Sequence, residues 1–590
     1  MCGIAGYIGP RQNTSEILFN MIKRLEYRGY DSAGIACVTD DVLCISKDKG
    51  KISELEDKIN SDVVSDIGIA HTRWATHGAP SQLNAHPHTD CQQRFCVVHN
   101  GIIENHRELR DELIKKGHSF TSETDTEVIP HLIEEHYVDS FEQAFTHAVK
   151  RLRGSFALAA LSVEDKNRIL IARKDSPLII GLGDNEYFIA SDTPALIPHT
   201  RDVIILDDFN YAVLSREGVR VCDIQSGGEV TKEVLRIDWD QKQAEKEGFK
   251  HFMLKEIFEE PDAIRNAYKA NEVLAEIAGR LAKYSRYYLV GCGTAYYAAL
   301  AAKYLLERFG ISSEAVLGSE YRYSTINCID KDCAVVAVSQ SGETADTLVS
   351  AKESKNKGAY LVGLVNVLGS SLTRVVDDVS YIYAGPEIAV ASTKAYIGQV
   401  TSLIILSLYL AREKNKISEQ YLREMLDNIN SVPDKIGDVL SEEDKIKKLA
   451  DEYSNKEIFF FIGRKQNYPT ALEGALKLKE ISYVHAEAYP AGELKHGPLA
   501  LLEEGVPVIA LMPNDELIEK IESNVAEAQA RKALVLRVSE QGEMRVPVVD
   551  PLLSPLLYIT PLHLFAYHIC LARGLDPDKP RNLAKSVTVE

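Results

Sequence analysis

The sequence predicts a protein in two parts: a layered domain of sheets and grouped helices, followed by two copies of an α/β unit built on parallel sheets. Three observations predict this. Over the first 220 or so residues, short apolar strand-type runs come in groups with helical patterns between them. After about residue 280 the texture changes to strand, glycine turn and helix in alternation, which packs as a parallel sheet. That second texture then recurs: Gly291 to Ser339 and Gly463 to Leu511 both span 48 residues, at a constant offset of 172.

The elements follow in order. Strands are expected at Ser32–Val38, Ile67–Ala70, Phe95–Val98, Ala157–Val163, Ile169–Ala172 and Val203–Leu206, with helices at Ser15–Tyr27 and at Glu104–Lys116, the latter ended by Gly117. The polar, charge-rich sequence from Ile237 to Lys250 reads as a linker. Tyr287–Val290 then runs through Gly291-Cys292-Gly293-Thr294 into a helix closed by Gly310. Ala334–Val338 runs through Ser339-Gln340-Ser341-Gly342-Glu343-Thr344 into another, and Tyr360–Val365 follows as a third strand. In the second copy Ile458–Ile462 meets Gly463-Arg464, and Val506–Ala510 meets Leu511-Met512-Pro513.

Bulk properties narrow the function. A chain of 590 residues is too long for one core, and 45% hydrophobic with 26% charged residues is ordinary for a globular protein. The net charge of −19 argues against a nucleic-acid binder, and means that an anionic ligand must be held by local donors. Ten cysteines form no dense framework and no C-x2-C pair, so neither disulfides nor a metal is expected. No secretory apolar region follows Met1, and the longest apolar stretch, Val400 to Ala411, falls short of the roughly 20 residues of a membrane span. A soluble protein of the reducing cytoplasm is the expectation.

Two places carry chemistry. Cys2 lies directly behind Met1, at the head of MCGIAGYIG. With Met1 removed, its α-amine, titrating at roughly 7.7 to 8.0, could serve as base for its own thiol. Cys2 also reads as a small apolar residue opening a buried strand. The second place is Ser339-Gln340-Ser341-Gly342-Glu343-Thr344, between a strand and a helix start, where backbone N–H groups and the helix dipole favour an anion. One capped helix needs one hydroxyl, and three occur here, which points to a phosphate. Without a Walker lysine, a phosphorylated sugar fits better than a nucleoside triphosphate. The second copy has lost these hydroxyls, so one ligand site, mainly in the first copy, is expected. Ala391-Ser392-Thr393-Lys394 after Glu387 reads as a helix cap.

With both halves in view, a resemblance becomes specific. Cys2-Gly3-Ile4, Arg28-Gly29-Tyr30-Asp31-Ser32, His71-Thr72-Arg73-Trp74-Ala75-Thr76-His77-Gly78, Asn84-Ala85-His86-Pro87, His99-Asn100-Gly101 and Thr124-Asp125-Thr126-Glu127 are similar to N-terminal-nucleophile glutamine amidotransferase domains. The duplicated units resemble sugar isomerase (SIS) domains. Their order, with the ending Arg581 to Glu590, resembles the glutamine–fructose-6-phosphate aminotransferase family over nearly the whole chain.

The resemblance implies an αββα glutaminase domain over residues 1–225, a linker and entry helix over 226–275, SIS domains over 276–420 and 445–575, and a catalytic tail over 576–590. It implies release of ammonia from glutamine and its transfer to fructose 6-phosphate, giving glucosamine 6-phosphate. Cys2 would be the nucleophile, Asn100 and Gly101 the oxyanion hole, and Arg73, Thr76, His77 and Asp125 the glutamine pocket. Trp74 would gate an ammonia passage. Thr294, Ser339, Gln340, Ser341 and Thr344 would bind the phosphate, and Val390, Ser392 and Lys477 the sugar. Glu480 would move the proton between C1 and C2, His496 would assist ring opening, and Lys585 would form a Schiff base, for which its amine must be neutral. The resemblance implies no cofactor, metal, nucleic acid or membrane, and a homodimer. One departure is Ala295, where bacterial members commonly carry Ser after Cys-Gly-Thr. A phosphoribosyl-type partner domain is disfavoured, because Val375-Val376-Asp377-Asp378-Val379 is followed by Ser380-Tyr381-Ile382 and no glycine–threonine loop.

Overall fold

A computed structural model describes residues 2–56, 58–59, 64–75, 77–237 and 245–588. The chain divides into two compact units: residues 1–244 with 584–590, and residues 245–583.

The first unit follows from how its strands are buried. In Gly3–Gln12, Ile4 and Ile8 face one apolar cluster while Ala5 and Tyr7 face another, as a period of two requires. The strand is therefore covered on both sides, which explains a run apolar at nearly every position. It lies between Ser65–Arg73 and Tyr187–Ala190 in an eight-stranded antiparallel sheet. Phe95–Ile103 lies between His88–Thr89 and Gly154–Ser162 in a six-stranded antiparallel sheet. Ile4, Ile8, Ile67 and Ile69 meet Val98, Ala157, Ala159 and Leu161 between the sheets. Outside the first sheet, the helix Thr14–Lys23 packs Leu18 and Ile22 over Ala5, Tyr7 and Ala70. Outside the second, His106–Lys115, Val128–His136 and Phe141–Arg151 bury Leu109, Leu113, Ile129, Ile133 and Phe145 against Phe95, Val97, Leu158 and Ala160. The layers are α, β, β, α.

Two helices differ from expectation. Ser15–Tyr27 is a helix only over Thr14–Lys23, followed by a 3-10 turn at Glu26–Arg28. The turn lets Tyr27 Oη and Arg28 Nη1 each donate to Asp192 Oδ2 at 2.6 Å. Glu104 does not start a helix, because its N–H donates to Arg153 O at 2.9 Å and the helix begins at His106.

The second unit contains two five-stranded parallel sheets of the same topology. One is ordered Ser313–Leu317, Arg286–Gly291, Cys333–Ser339, Tyr360–Val365, Asp378–Tyr381; the other is ordered His485–Pro490, Ile458–Gly463, Pro507–Leu511, Leu534–Ser539, Met544–Arg545. Both read 2-1-3-4-5, so the spacing of 48 residues reflects a duplicated unit. Ligands of such sheets bind at the carboxyl ends of strands 1 and 3, where the order reverses. One apolar cluster joins Leu289 and Val336 of the first sheet to Phe459 and Ile509 of the second, through the helices Lys394–Glu413 and Ser554–Ala572. Contrary to the sequence expectation, Lys394–Glu413 and Pro551–Ala572 are each long and apolar enough to cross a membrane. Both lie mostly buried within this core.

Candidate functional site

The site around Cys2 is built where polar residues extend three strands beyond their apolar cores. Gly3 pairs with Thr72, so Cys2 stands at the end of its strand beside Arg73 and Trp74. Trp74 N–H donates to Cys2 Sγ at 3.3 Å, and the thiol donates to Trp74 O at 3.5 Å. The Cys2 carbonyl accepts from Asn100 Nδ2 at 3.0 Å and from Arg28 Nε at 3.2 Å. Burial pushes the Cys2 thiol up, against the lowering effects of the Trp74 N–H, Arg73 and Arg28. The sulfur is therefore a neutral thiol that needs a base.

Asn100 is oriented from behind. His71 Nε2 lies 3.0 Å from Asn100 Oδ1 and 2.9 Å from His99 O; as a donor to both, it turns the Asn100 NH2 toward residue 2. The His71 ring stacks on His86 at 4.0 Å between centroids, and burial holds His71 down at about 3, so it stays a neutral donor. Gly101 has φ +123°, and a Cβ there would lie 2.1 Å from Ser155 O, so only glycine fits.

Arg73 and Asp125 are buried opposite charges. Arg73 Nη2 donates to the carbonyls of His77 and, at 3.0 Å, Gly78. Its Nη1 is buried without a hydrogen-bond partner among the described residues, which suits an incoming anion. Asp125 Oδ2 accepts from Ile103 N–H at 2.7 Å. The His77 ring packs edge-on to His106 at 5.3 Å. Thr76 lies outside the described residues.

In the second unit, the loops after strands 1 and 3 of the first sheet carry the expected phosphate residues. Ser339 Oγ accepts from Gly342 N–H at 3.0 Å and lies 3.1 Å from Thr344 Oγ1. Ser341 Oγ accepts from Glu343 N–H at 3.1 Å, and Gln340 O accepts from Asn366 N–H at 3.0 Å. Gly342 has φ +64°, and a Cβ would lie 2.0 Å from Ser370 Oγ. Ala295 is buried in the apolar cluster.

Thr294 opens the helix Thr294–Arg308, and its partners come from the other copy. Thr294 Oγ1 donates to Glu473 Oε1 at 3.1 Å and accepts from Lys477 Nζ at 3.2 Å. Lys477 also pairs with Glu473 Oε1 at 3.3 Å and Glu480 Oε2 at 2.7 Å. These three lie along one face of the helix Asn467–Ser482. Burial raises the Glu473 carboxyl. Burial opposes the charge on Lys477, yet Glu473 and Glu480 outweigh it and its amine is raised. Glu473 was missed in the sequence because one acid inside an apolar helix has no pattern of its own.

The remaining expected residues are held separately. Val390 N–H donates to Asp578 O at 3.2 Å, and Ser392 Oγ to Glu387 Oε2 at 2.9 Å. Glu387 Oε1 accepts from Thr393 and Ala395 N–H, so the helix is capped from Glu387; Thr393, the N-cap residue itself, makes no side-chain capping bond, contrary to the sequence expectation. His496 is exposed at the end of the 3-10 segment Ala491–His496. Arg581 is laid over the Tyr483 ring at 4.2 Å, just beyond the helix carrying Glu480. Lys585 is half-buried in the segment 584–590, which groups with the first unit.

Comparison with known proteins agrees with both halves. Residues 71–198 match a glutamine amidotransferase domain model, and residues 280–408 and 452–543 match SIS domain models. Curated glutamine–fructose-6-phosphate aminotransferases (isomerizing) from Pyrococcus horikoshii and Clostridium tetani are 50% and 46% identical, over the full length of both chains. This chain belongs to that family. The C-terminal domain of glucosamine-fructose-6-phosphate aminotransferase from Francisella tularensis is 38% identical, at TM-score 0.54, and covers 57% of this chain and all of that structure.

Proposed function

We propose that the chain converts glutamine and fructose 6-phosphate to glutamate and glucosamine 6-phosphate. The family gives the reaction; the observation that carries the assignment of residues is the surroundings of Cys2. A neutral thiol touches Trp74, the Cys2 carbonyl is held by Asn100 and Arg28, and Arg73, next in the adjoining strand, is buried with an Nη1 that has no hydrogen-bond partner among the described residues.

Removal of Met1 frees the Cys2 α-amine, which takes the thiol proton. The thiolate attacks the glutamine side-chain amide, Asn100 Nδ2 and Gly101 N–H meet the developing oxyanion, and ammonia leaves with a thioester that water then hydrolyses. Arg73 grips the α-carboxylate of glutamine and Asp125 its α-amine, with Thr76 and His77 completing the pocket. Trp74 gates the passage of ammonia.

For the sugar, the two loops at the reversal of strand order supply the phosphate cradle: Thr294, Ser339, Gln340, Ser341 and Thr344. Val390, Ser392 and Lys477 contact the sugar. His496 assists ring opening, Lys585 forms a Schiff base with the open chain, and Glu480 moves the proton between C1 and C2. The domain limits are 1–225, 276–420 and 445–575, joined by 226–275 and ended by the tail 576–590. The protein acts as a cytoplasmic homodimer. Mass spectrometry of the product made from glutamine labelled at the amide nitrogen tests the reading: label in the sugar amine supports it, and an unlabelled amine overturns it.

A further inference from the structure

Away from the residues of either reaction, four side chains of the glutaminase unit converge on one point. Cys91 lies in the turn after His88–Thr89, His118 just beyond the helix His106–Lys115, and His131 and Glu134 one turn apart on Val128–His136. Their ligand atoms all lie within 4.8 Å of one another. Cys91 Sγ is 3.8 Å from His118 Nδ1 and 3.6 Å from His131 Nδ1. Glu134 Oε2 is 3.0 Å from His118 Nδ1 and 3.5 Å from His131 Nδ1.

We propose that Cys91, His118, His131 and Glu134 form a structural zinc site. A tetrahedral ion with bonds of about 2.3 Å to sulfur and about 2.0–2.1 Å to nitrogen and oxygen separates S–N neighbours by about 3.6 Å and N–O neighbours by about 3.3 Å. The four distances fall around those values. Thiolate, two imidazoles and one carboxylate suit zinc far better than magnesium or calcium.

Hydrogen bonds around the cluster favour the same reading. His118 Nε2 lies 3.2 Å from Glu135 Oε2, the outward carboxylate contact typical of a metal-bound imidazole, which lets Nδ1 turn its lone pair to an ion. Nδ1 itself lies 3.0 Å from Glu134 Oε2, a spacing that a shared ion or a shared proton satisfies, and the Cys91 sulfur 3.8 Å away on the same side favours the ion. Cys91 is fixed in place as well: its N–H donates to Glu134 Oε2 at 3.2 Å, and its sulfur accepts from Ser119 N–H at 3.4 Å. The turn itself is closed by Asp90 Oδ1, which accepts from Arg94 and Phe95 N–H at 2.7 and 2.8 Å.

Four protein ligands leave no open position, so the ion braces the fold and takes no part in catalysis. It would tie the turn leading into Phe95–Ile103, the strand of Asn100, to the helix that begins just after Asp125. The sequence gives little sign of the site, since the ligands are spaced 27, 13 and 3 residues apart. Only His131 and Glu134, at i and i+3, form a recognisable pair.

The test uses the full chain stripped with a chelator and titrated with cobalt(II), then zinc. Expected are about one equivalent bound, a thiolate-to-cobalt charge-transfer band with tetrahedral ligand-field bands, and bleaching by zinc. Cys91→Ser and His118→Gln change two side chains at the rim of the cluster. They should remove the band and weaken zinc binding by more than about 100-fold, while the glutaminase rate below melting is kept. Binding of less than a tenth of an equivalent overturns the proposal; so does a cobalt spectrum that survives Cys91→Ser. In either case the four side chains form a hydrogen-bond network that holds no ion.

Discussion

Replacing Lys477 by Met measures how much the charge between Glu473 and Glu480 stabilises the sugar-binding unit. The Lys477 side chain is 1% exposed and that of Glu473 is 0%, so water replaces nothing when the amine is lost. Glu473 would keep only the Thr294 hydroxyl, and its second oxygen already lacks a partner among the described residues. Glu480, at 21% exposure, can turn to solvent and adds little. Breaking a buried pair from one side costs about 3–5 kcal/mol. At a few degrees per kcal/mol for a domain of this size, the melting transition of the sugar-binding unit should fall by roughly 5–15 °C. The pH dependence has a definite sign. Glu473 is raised above its unfolded value by burial, so it binds a proton more readily in the folded state, and without Lys477 it is raised further. Stability is then gained as the pH falls through the folded value and lost as it rises. The deficit of the variant should therefore shrink from about pH 7 toward about pH 5, and Lys477→Met with Glu473→Gln should recover most of it at neutral pH. Scanning calorimetry of the full chain across that range provides the measurement. A deficit under about 1 kcal/mol, or one that grows on acidification, would refute the argument.

Other expectations follow from separate parts of the molecule. Cys2→Ala should abolish product formed from glutamine while sparing part of the ammonia-independent isomerisation; equal loss of both would count against separate chemistries in the two halves. Asn100→Ala should lower glutaminase kcat by about 100- to 1,000-fold with a smaller change in KM, because its amide acts on the developing oxyanion. Comparable KM and kcat effects would instead point to a fault in folding or substrate binding. Borohydride reduction in the presence of fructose 6-phosphate should label Lys585, read by peptide mass spectrometry, and a label on any other lysine defeats that assignment. Gly342→Ala should weaken fructose 6-phosphate binding by tenfold or more, since the added carbon collides with Ser370 and the backbone sits at φ +64°. An unchanged KM would show that the loop is not the phosphate cradle.

Much of the fold was legible because its pattern is repetitive. The duplicated strand–loop–helix order was visible in a spacing of 48 residues, and the strand Tyr360–Val365 was read to the residue. What the apolar runs missed was their polar continuation. Ile67–Ala70 is really Ser65–Arg73, and Phe95–Val98 is really Phe95–Ile103. The omitted ends contain His71, Arg73, Asn100 and Gly101, so the hydrophobic criterion stops where the site begins. Cys2 and the Ser339–Thr344 loop stood out from the residues alone, while the other candidates came from motif resemblance; neither route carries information on their partners. His71 behind Asn100, and Glu473 beside Thr294, are contacts between distant segments. The hydroxyls of Ser339 and Thr344 lie within hydrogen-bond distance of each other inside their own loop, an arrangement that a count of hydroxyls cannot reveal.

Thr294 is completed by two side chains that belong to the other half of the duplication. The copy that has lost its own hydroxyl loops is therefore no spare part: it holds the threonine of its twin in place. A fragment trimmed to residues 276–420 would lack Glu473 and Lys477, and a residue at 294 without a hydroxyl would leave both of them, nearly two hundred residues downstream, short of a partner. The two modules therefore form a single working body.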